Sequence, residues 1–190
     1  MPLTVLDPHI ALIAIDLQKG IVNGNFIHPI GEVIDRTRAL IDVFRRENLP
    51  VALVNVAGRA PGRTEQGPRS SQTFGEGWTD LLSQLDRQPS DIVVTKRSWG
   101  AFATTDLEHR LKARGITQVV VTGVVTSGGV EATARQAYEQ GFNVTLALDA
   151  MTDTGEEAHE YSIRNVFPRL GETGSTQEII SLLERRSSAS

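Results

Sequence analysis

Apolar positions in this chain come in short blocks separated by longer, periodically polar stretches. Largely apolar runs fall at Ile10–Ile15, Val51–Val56, Ile92–Thr95, Val119–Val124 and Val144–Leu148. Each is strand length, and none shows the strict alternation of a half-exposed strand. They therefore read as strands covered on both faces. A weaker sixth strand fits residues 171–174. After the first run, Ile30, Val33, Ile34, Thr37, Ile41 and Phe44 recur with the 3.6-residue period of an amphipathic helix. A short helix is expected from Trp78 to Leu85. Three capping-box patterns, opening at Thr105, Thr154 and Ser175, predict helices over 105–114, to about 166, and to about 185. A further helix is expected over 129–140, with Gly115 and Gly141 as stops. Strand and helix alternate throughout. The fold class that follows is α/β: a three-layer, doubly wound domain with a six-stranded parallel sheet and helices on both faces. It spans residues 1–190 as one domain, since no linker or repeat interrupts the pattern.

Composition narrows the function classes. The 190 residues carry 39% hydrophobic and 22% charged residues and a net charge of -4. That balance argues against a nucleic-acid surface. No apolar run has the length to span a bilayer, and the N-terminus lacks a signal-peptide pattern. The expected location is cytoplasmic. The chain has no cysteine, which excludes disulfides and thiolate chemistry together. His9, His28, His109 and His159 show no ligand spacing, and His109 and His159 read as solvated helix positions. No catalytic metal and no cofactor are expected.

In open parallel sheets, ligands bind beyond the carboxyl ends of the strands, where strand order reverses. Asp16, Lys96 and Asp149 each close a strand, and Gly128-Gly129 follows another. A polar residue closing a strand is usually a cap or turn residue, and Asp149 fits that role best. The Gly-Gly pair is equally a tight turn or a backbone cradle for an anion. Glu131 and Arg135 read as a surface ion pair. The segment 58–77, rich in Gly, Pro and Arg, is a long loop.

Three blocks, ALIAIDLQKG, VVTKRSWGAFATTDLEHRL and VVVTGVVTSGGVEATARQAYEQGFNVTLALDAMTD, resemble the isochorismatase-like hydrolase superfamily over nearly the whole chain. The resemblance implies a doubly wound sheet, homo-oligomers (dimer or tetramer), and a site of Asp, Lys and Cys. Asp16 matches the family's aspartate and Lys96 its lysine. The family's cis peptide falls at Val125–Thr126 in this chain, and its nucleophilic cysteine falls at Gly129. The resemblance further places Gln18, Trp99, Phe102, Val125, Thr126, Gly128 and Gly129 against substrate. Without the cysteine, thioester chemistry is excluded. Isochorismatases also carry Gly at this position. They hydrolyse an enol ether, which needs an acid rather than a nucleophile, and Asp16 is the candidate acid. The expected partner is a small anionic molecule, met by Lys96; arginines at 59, 63, 69 and 97 are candidates for further contacts, against the commoner reading of loop arginines as solvated. The alternative is a catalytically impaired family member that binds a small anionic metabolite.

Overall fold

The computed structural model describes residues 3–65 and 74–188. Within them lies a six-stranded, all-parallel sheet in the order β3-β2-β1-β4-β5-β6. The strands are β1 (Ile10–Ile15), β2 (Val51–Val56), β3 (Ile92–Lys96), β4 (Gln118–Val124), β5 (Asn143–Thr152) and β6 (Glu172–Gly174). The helices are α1 (Lys19–Val22), α2 (Ile30–Arg46), α3 (Leu107–Lys112), α4 (Glu131–Glu139), α5 (Glu156–Tyr161) and α6 (Thr176–Ser188). Successive side chains of a strand leave opposite faces, and this divides the core in two. Ala11, Ile13 and Ile15 of β1 pack with Leu107, Leu111, Ala134 and Ala137 of α3 and α4. Ile10, Leu12 and Ala14 pack with Ile41, Phe44, Ile179 and Leu183 of α2 and α6. Such burial is worth roughly 1.5–3 kcal/mol for each large side chain. No helix among the described residues is long and apolar enough to cross a membrane.

The chain runs outward from β1 to β3, then returns to the other side of β1 for β4 to β6. The switch point therefore lies between β1 and β4.

Several local expectations change in the folded chain. Trp78–Leu85 is not a helix: only Ser83–Leu85 makes a 3-10 turn, and Leu81 instead forms an isolated antiparallel bridge with Gln18. The box at Ser175 forms, with Ser175 N–H donating to Glu178 Oε2 at 2.7 Å and Glu178 N–H to Ser175 Oγ at 3.3 Å. The box at Thr105 does not, because its hydroxyl donates to Ala101 O at 2.6 Å and accepts from Leu107 N at 3.2 Å. No side chain caps α5, which ends at Tyr161 and gives way to a π-helical turn at Ser162–Val166. Gly115 and Gly141 do end α3 and α4, at φ +68 and +85.

Asp149 does not close β5, which runs on to Thr152. A register shift between Val121 and Gly123 absorbs the extra length. Asp149 Oδ1 instead accepts the Thr176 N–H at 2.7 Å and its hydroxyl at 2.9 Å, at the start of α6. Asp149→Ala is expected to cost about 1 kcal/mol, the usual value of a helix-start acceptor. Thermal unfolding measures this, and activity should stay at the wild-type level.

Candidate active site

β1 ends at Ile15, and the next residue, Asp16, takes the left-handed conformation at φ 55. Its N–H still bonds Val54 O at 2.8 Å, so the chain leaves the sheet only after the carboxyl has been set at the switch point. Aspartate tolerates this conformation better than most residues. Asp16 is 7% exposed, and its Oδ2 lies 2.8 Å from Nζ of Lys96, itself 2% exposed at the end of β3. Lys96 also donates to Ser98 O at 3.2 Å, so two of its three protons are engaged. Among the described residues, Asp16 Oδ1 is buried with no hydrogen-bond partner. Burial pushes the Asp16 carboxyl up to about 6 from 3.8, against the opposing pull of Lys96. Desolvation thus outweighs the cation, leaving a carboxyl that holds its proton well above the usual carboxylate range.

β4 delivers the second wall. It ends in a cis peptide at Val124–Val125, one residue before the expected Val125–Thr126 and directly at the end of β4. A π-helical turn, Thr126–Val130, follows and runs into α4. Its wide bond runs from Val130 N–H to Val125 O at 3.2 Å. This turn carries Gly128 and Gly129. The absent side chain at Gly129 does not leave an open void. A Cβ built there would lie 3.1 Å from Asp16 Oδ2, 3.0 Å from Ile15 Cγ2 and 3.2 Å from Val124 O. Gly129→Ala therefore presses directly on the Asp16 carboxyl. It is expected to lower turnover by roughly 10-fold, short of the 10²-fold that a 1 Å displacement costs. Steady-state kinetics, variant against wild type, reads this out.

These elements surround a cleft of about 780 Å³ lined by Asp16, Lys96, Val125, Ser127, Gly128, Gly129, Trp78, Trp99, Phe74, Arg59 and Asp153, among others. The volume suits a small molecule. Trp99 stands 61% exposed at its edge, and Trp78 stacks on Phe74 with centroids 4.0 Å apart.

Three residues expected against substrate have other work. Gln18 is fully buried, and its amide bonds Val56 N at 2.7 Å and the Val56 and Trp78 carbonyls at 3.1 Å each. Phe102 packs in the core, 5.9 Å from Phe142 between ring centroids. Thr126 is buried beneath the turn, with its hydroxyl 2.8 Å from His159 Nδ1. Of the arginines, Arg59 reaches the cleft. Arg97 spends its guanidinium on Ala57 O at 3.2 Å, Arg63 is exposed outside the cleft lining, and Arg69 lies outside the described residues.

Two residues that support the site carried no sequence signal of their own. Asp153 follows β5 and is 3% exposed; its carboxylate accepts Ser127 N–H at 2.6 Å and Thr154 N–H at 2.7 Å. It clamps the glycine turn from the β5 side. The strand-end rule would have found Asp153 had β5 been drawn to its true length. His159 is buried, not solvated, on α5 and sits edge-on to His28 at 5.0 Å. Burial and His28 hold its pKa below the ordinary 6.5, against Glu160 and Asp153.

Comparison with known proteins gives a consistent result. The Isochorismatase domain family matches residues 10–178. The uncharacterised isochorismatase family protein YwoC of Bacillus subtilis is 38% identical over 176 residues, covering 90% of this chain and 92% of its own length. YecD of Escherichia coli O157:H7, likewise an uncharacterised isochorismatase family protein, is 38% identical over 179 residues, covering 91% and 95%. The solved structure of an isochorismatase family protein from Burkholderia thailandensis superimposes with a TM-score of 0.89 at 38% identity, covering 95% of this chain and 98% of that one.

Proposed function

The chain belongs to the isochorismatase family of hydrolases, and from that premise we propose that it hydrolyses an enol ether of the isochorismate type, giving pyruvate and a dihydro-dihydroxybenzoate. The observation that carries this reading is the Asp16 carboxyl: buried at the switch point, bonded to Lys96, and held near a pKa of about 6. With glycine at 129, the turn offers no side-chain nucleophile at that position, and the chemistry rests on an acid.

The steps balance as follows. The Asp16 O–H bond breaks as its proton passes to the vinyl methylene carbon. A C–H bond forms, and the ether carbon becomes an oxocarbenium ion. Water adds to that carbon and returns a proton to the Asp16 carboxylate. The hemiketal then collapses: the bond from its central carbon to the ring oxygen breaks, the hemiketal hydroxyl proton passes to that oxygen, which stays on the ring as an alcohol, and the carbonyl of pyruvate forms. Lys96, with its third proton, and Arg59 meet the substrate's carboxylates. Asp153 adds a nearby carboxylate, but two backbone N–H groups already bond it.

The test is pyruvate release from isochorismate by the purified protein. Both tryptophans of the chain line the cleft, so their fluorescence reports occupancy independently. Pyruvate release with a fluorescence change supports hydrolysis. A fluorescence change without pyruvate favours a binder of anionic metabolites.

A further inference from the structure

One hydroxyl joins the two loops that carry the site. Thr133 lies on α4, fully buried. Its Oγ1 donates to Gly129 O at 2.6 Å and accepts from Ala101 N–H at 3.1 Å. One helical turn on, Gln136 Oε1 accepts Phe102 N–H at 2.9 Å and Ala103 N–H at 3.3 Å. A Cβ on Gly100 would lie 2.3 Å from that amide, so any other residue there would push the Gln136 side chain off the loop. The same loop begins at Lys96, whose ammonium is bonded to Ser98 O at 3.2 Å, and Ser98 Oγ donates to Gly100 O at 3.1 Å. The contacts close a ring: Asp16 to Lys96, Lys96 through Ser98 and Gly100 to Ala101, Ala101 through Thr133 to Gly129, and Gly129 back against Asp16.

We propose that Thr133 is a positioning residue for the reaction, fixing the Lys96 loop against the glycine turn so that the ammonium stays bonded to the Asp16 carboxyl. The proposal rests on the reading of Asp16 as the acid. Thr133 does not line the cleft, so it acts through Lys96 and Gly129 rather than on substrate. A threonine inside a helix ordinarily turns its hydroxyl to the carbonyl four residues back, and the bond to Gly129 O is of that kind. The bond from Ala101 is not local. It ties a loop 32 residues away to the same oxygen.

The variants are Thr133→Val, which keeps the shape and loses both hydrogen bonds, and Thr133→Ser, which keeps the hydroxyl. Thr133→Ala loses the hydroxyl without added bulk, and Gln136→Ala releases the same loop one turn away. The first measurement needs no substrate: the Asp16 side-chain carboxyl is titrated by carbon-13 NMR, with Asp16→Asn assigning the resonance. If Thr133 holds Lys96 in place, the Val and Ala variants weaken the cation's pull, and the Asp16 midpoint rises by about half a unit or more. Thr133→Ser restores it, and Gln136→Ala moves it in the same direction. The second measurement is kinetic, on isochorismate: kcat falls roughly 10-fold, toward the 10²-fold cost of a 1 Å misplacement, and KM rises with the displaced Lys96, while Thr133→Ser keeps both at wild type. A wild-type midpoint and wild-type kcat in the Val and Ala variants, with only a lower melting temperature, overturns the proposal. Failure of the functional reading looks different: wild-type protein releases no pyruvate, yet the Asp16 midpoint still follows Thr133.

Discussion

Asp16→Asn is expected to lower turnover on isochorismate by roughly 10²–10⁴-fold, the usual contribution of a positioned general acid, in a protein that still folds. The amide fills the same space and retains an oxygen that Lys96 can donate to, but it has no transferable proton. The fold should survive because the sheet around Asp16 is held by β1, β2 and β4 ladders rather than by this side chain. The same variant checks the titration without substrate. Burial raises the folded carboxyl to about 6 from 3.8, so between those values the folded chain binds a proton that the unfolded chain has released. The stabilisation is therefore full below about pH 3.8 and is lost as pH rises through about 6. The stability of wild type relative to Asp16→Asn should fall across that window and level off above it. Denaturant unfolding at a series of pH values measures this.

Lys96→Met is expected to act in two directions at once. Loss of a charge-assisted bond to a substrate carboxylate costs about 1.5–3 kcal/mol, or roughly 10- to 100-fold in kcat/KM, mostly through KM. Lys96 is also the source of both influences that lower the Asp16 pKa. Without it, desolvation acts alone and the Asp16 midpoint moves above about 6. Methionine occupies much of the space of the lysine stem, so the change tests the charge rather than a cavity. Carbon-13 titration of the Asp16 carboxyl should show the upward move, and steady-state kinetics the higher KM. A downward move would mean that Lys96 does not govern this carboxyl.

Much of this architecture is written in local pattern. Ile10–Ile15 and Val119–Val124 are apolar because both faces of those strands meet core, and such runs are legible one residue at a time. Asp16 and Lys96 were legible for the same reason: a charge ending a buried run marks where the strand leaves the sheet. The misreadings share a cause. Trp78, Leu81, Leu82 and Leu85 have helical spacing, yet the indole covers the Gly20 backbone so closely that a Cβ there would lie 2.2 Å from the ring. Leu81 is drawn into a bridge with Gln18. Tertiary contacts overrode the local period. Asp149 was read as a strand end because the sequence does not announce the register shift that carries β5 on to Thr152.

The supporting residues were the least legible. Asp153, Thr133, Gln136 and His159 bond chain segments 26 to 34 positions away, and no spacing rule sees such pairs. Gln18 and Thr126 sit next to the site in sequence but turn their polar atoms to backbone and to His159. Proximity along the chain did not separate residues that line the cleft from residues that hold its walls.

The most direct test of the central claim, that Asp16 delivers the proton, is the pH dependence of kcat/KM for pyruvate release from isochorismate by the wild-type protein. With a carboxyl held near a pKa of about 6, kcat/KM should be highest below that pH. It should then decline roughly tenfold per unit above it as the acid form is lost. A profile that stays level to pH 8, or climbs, would contradict the assignment.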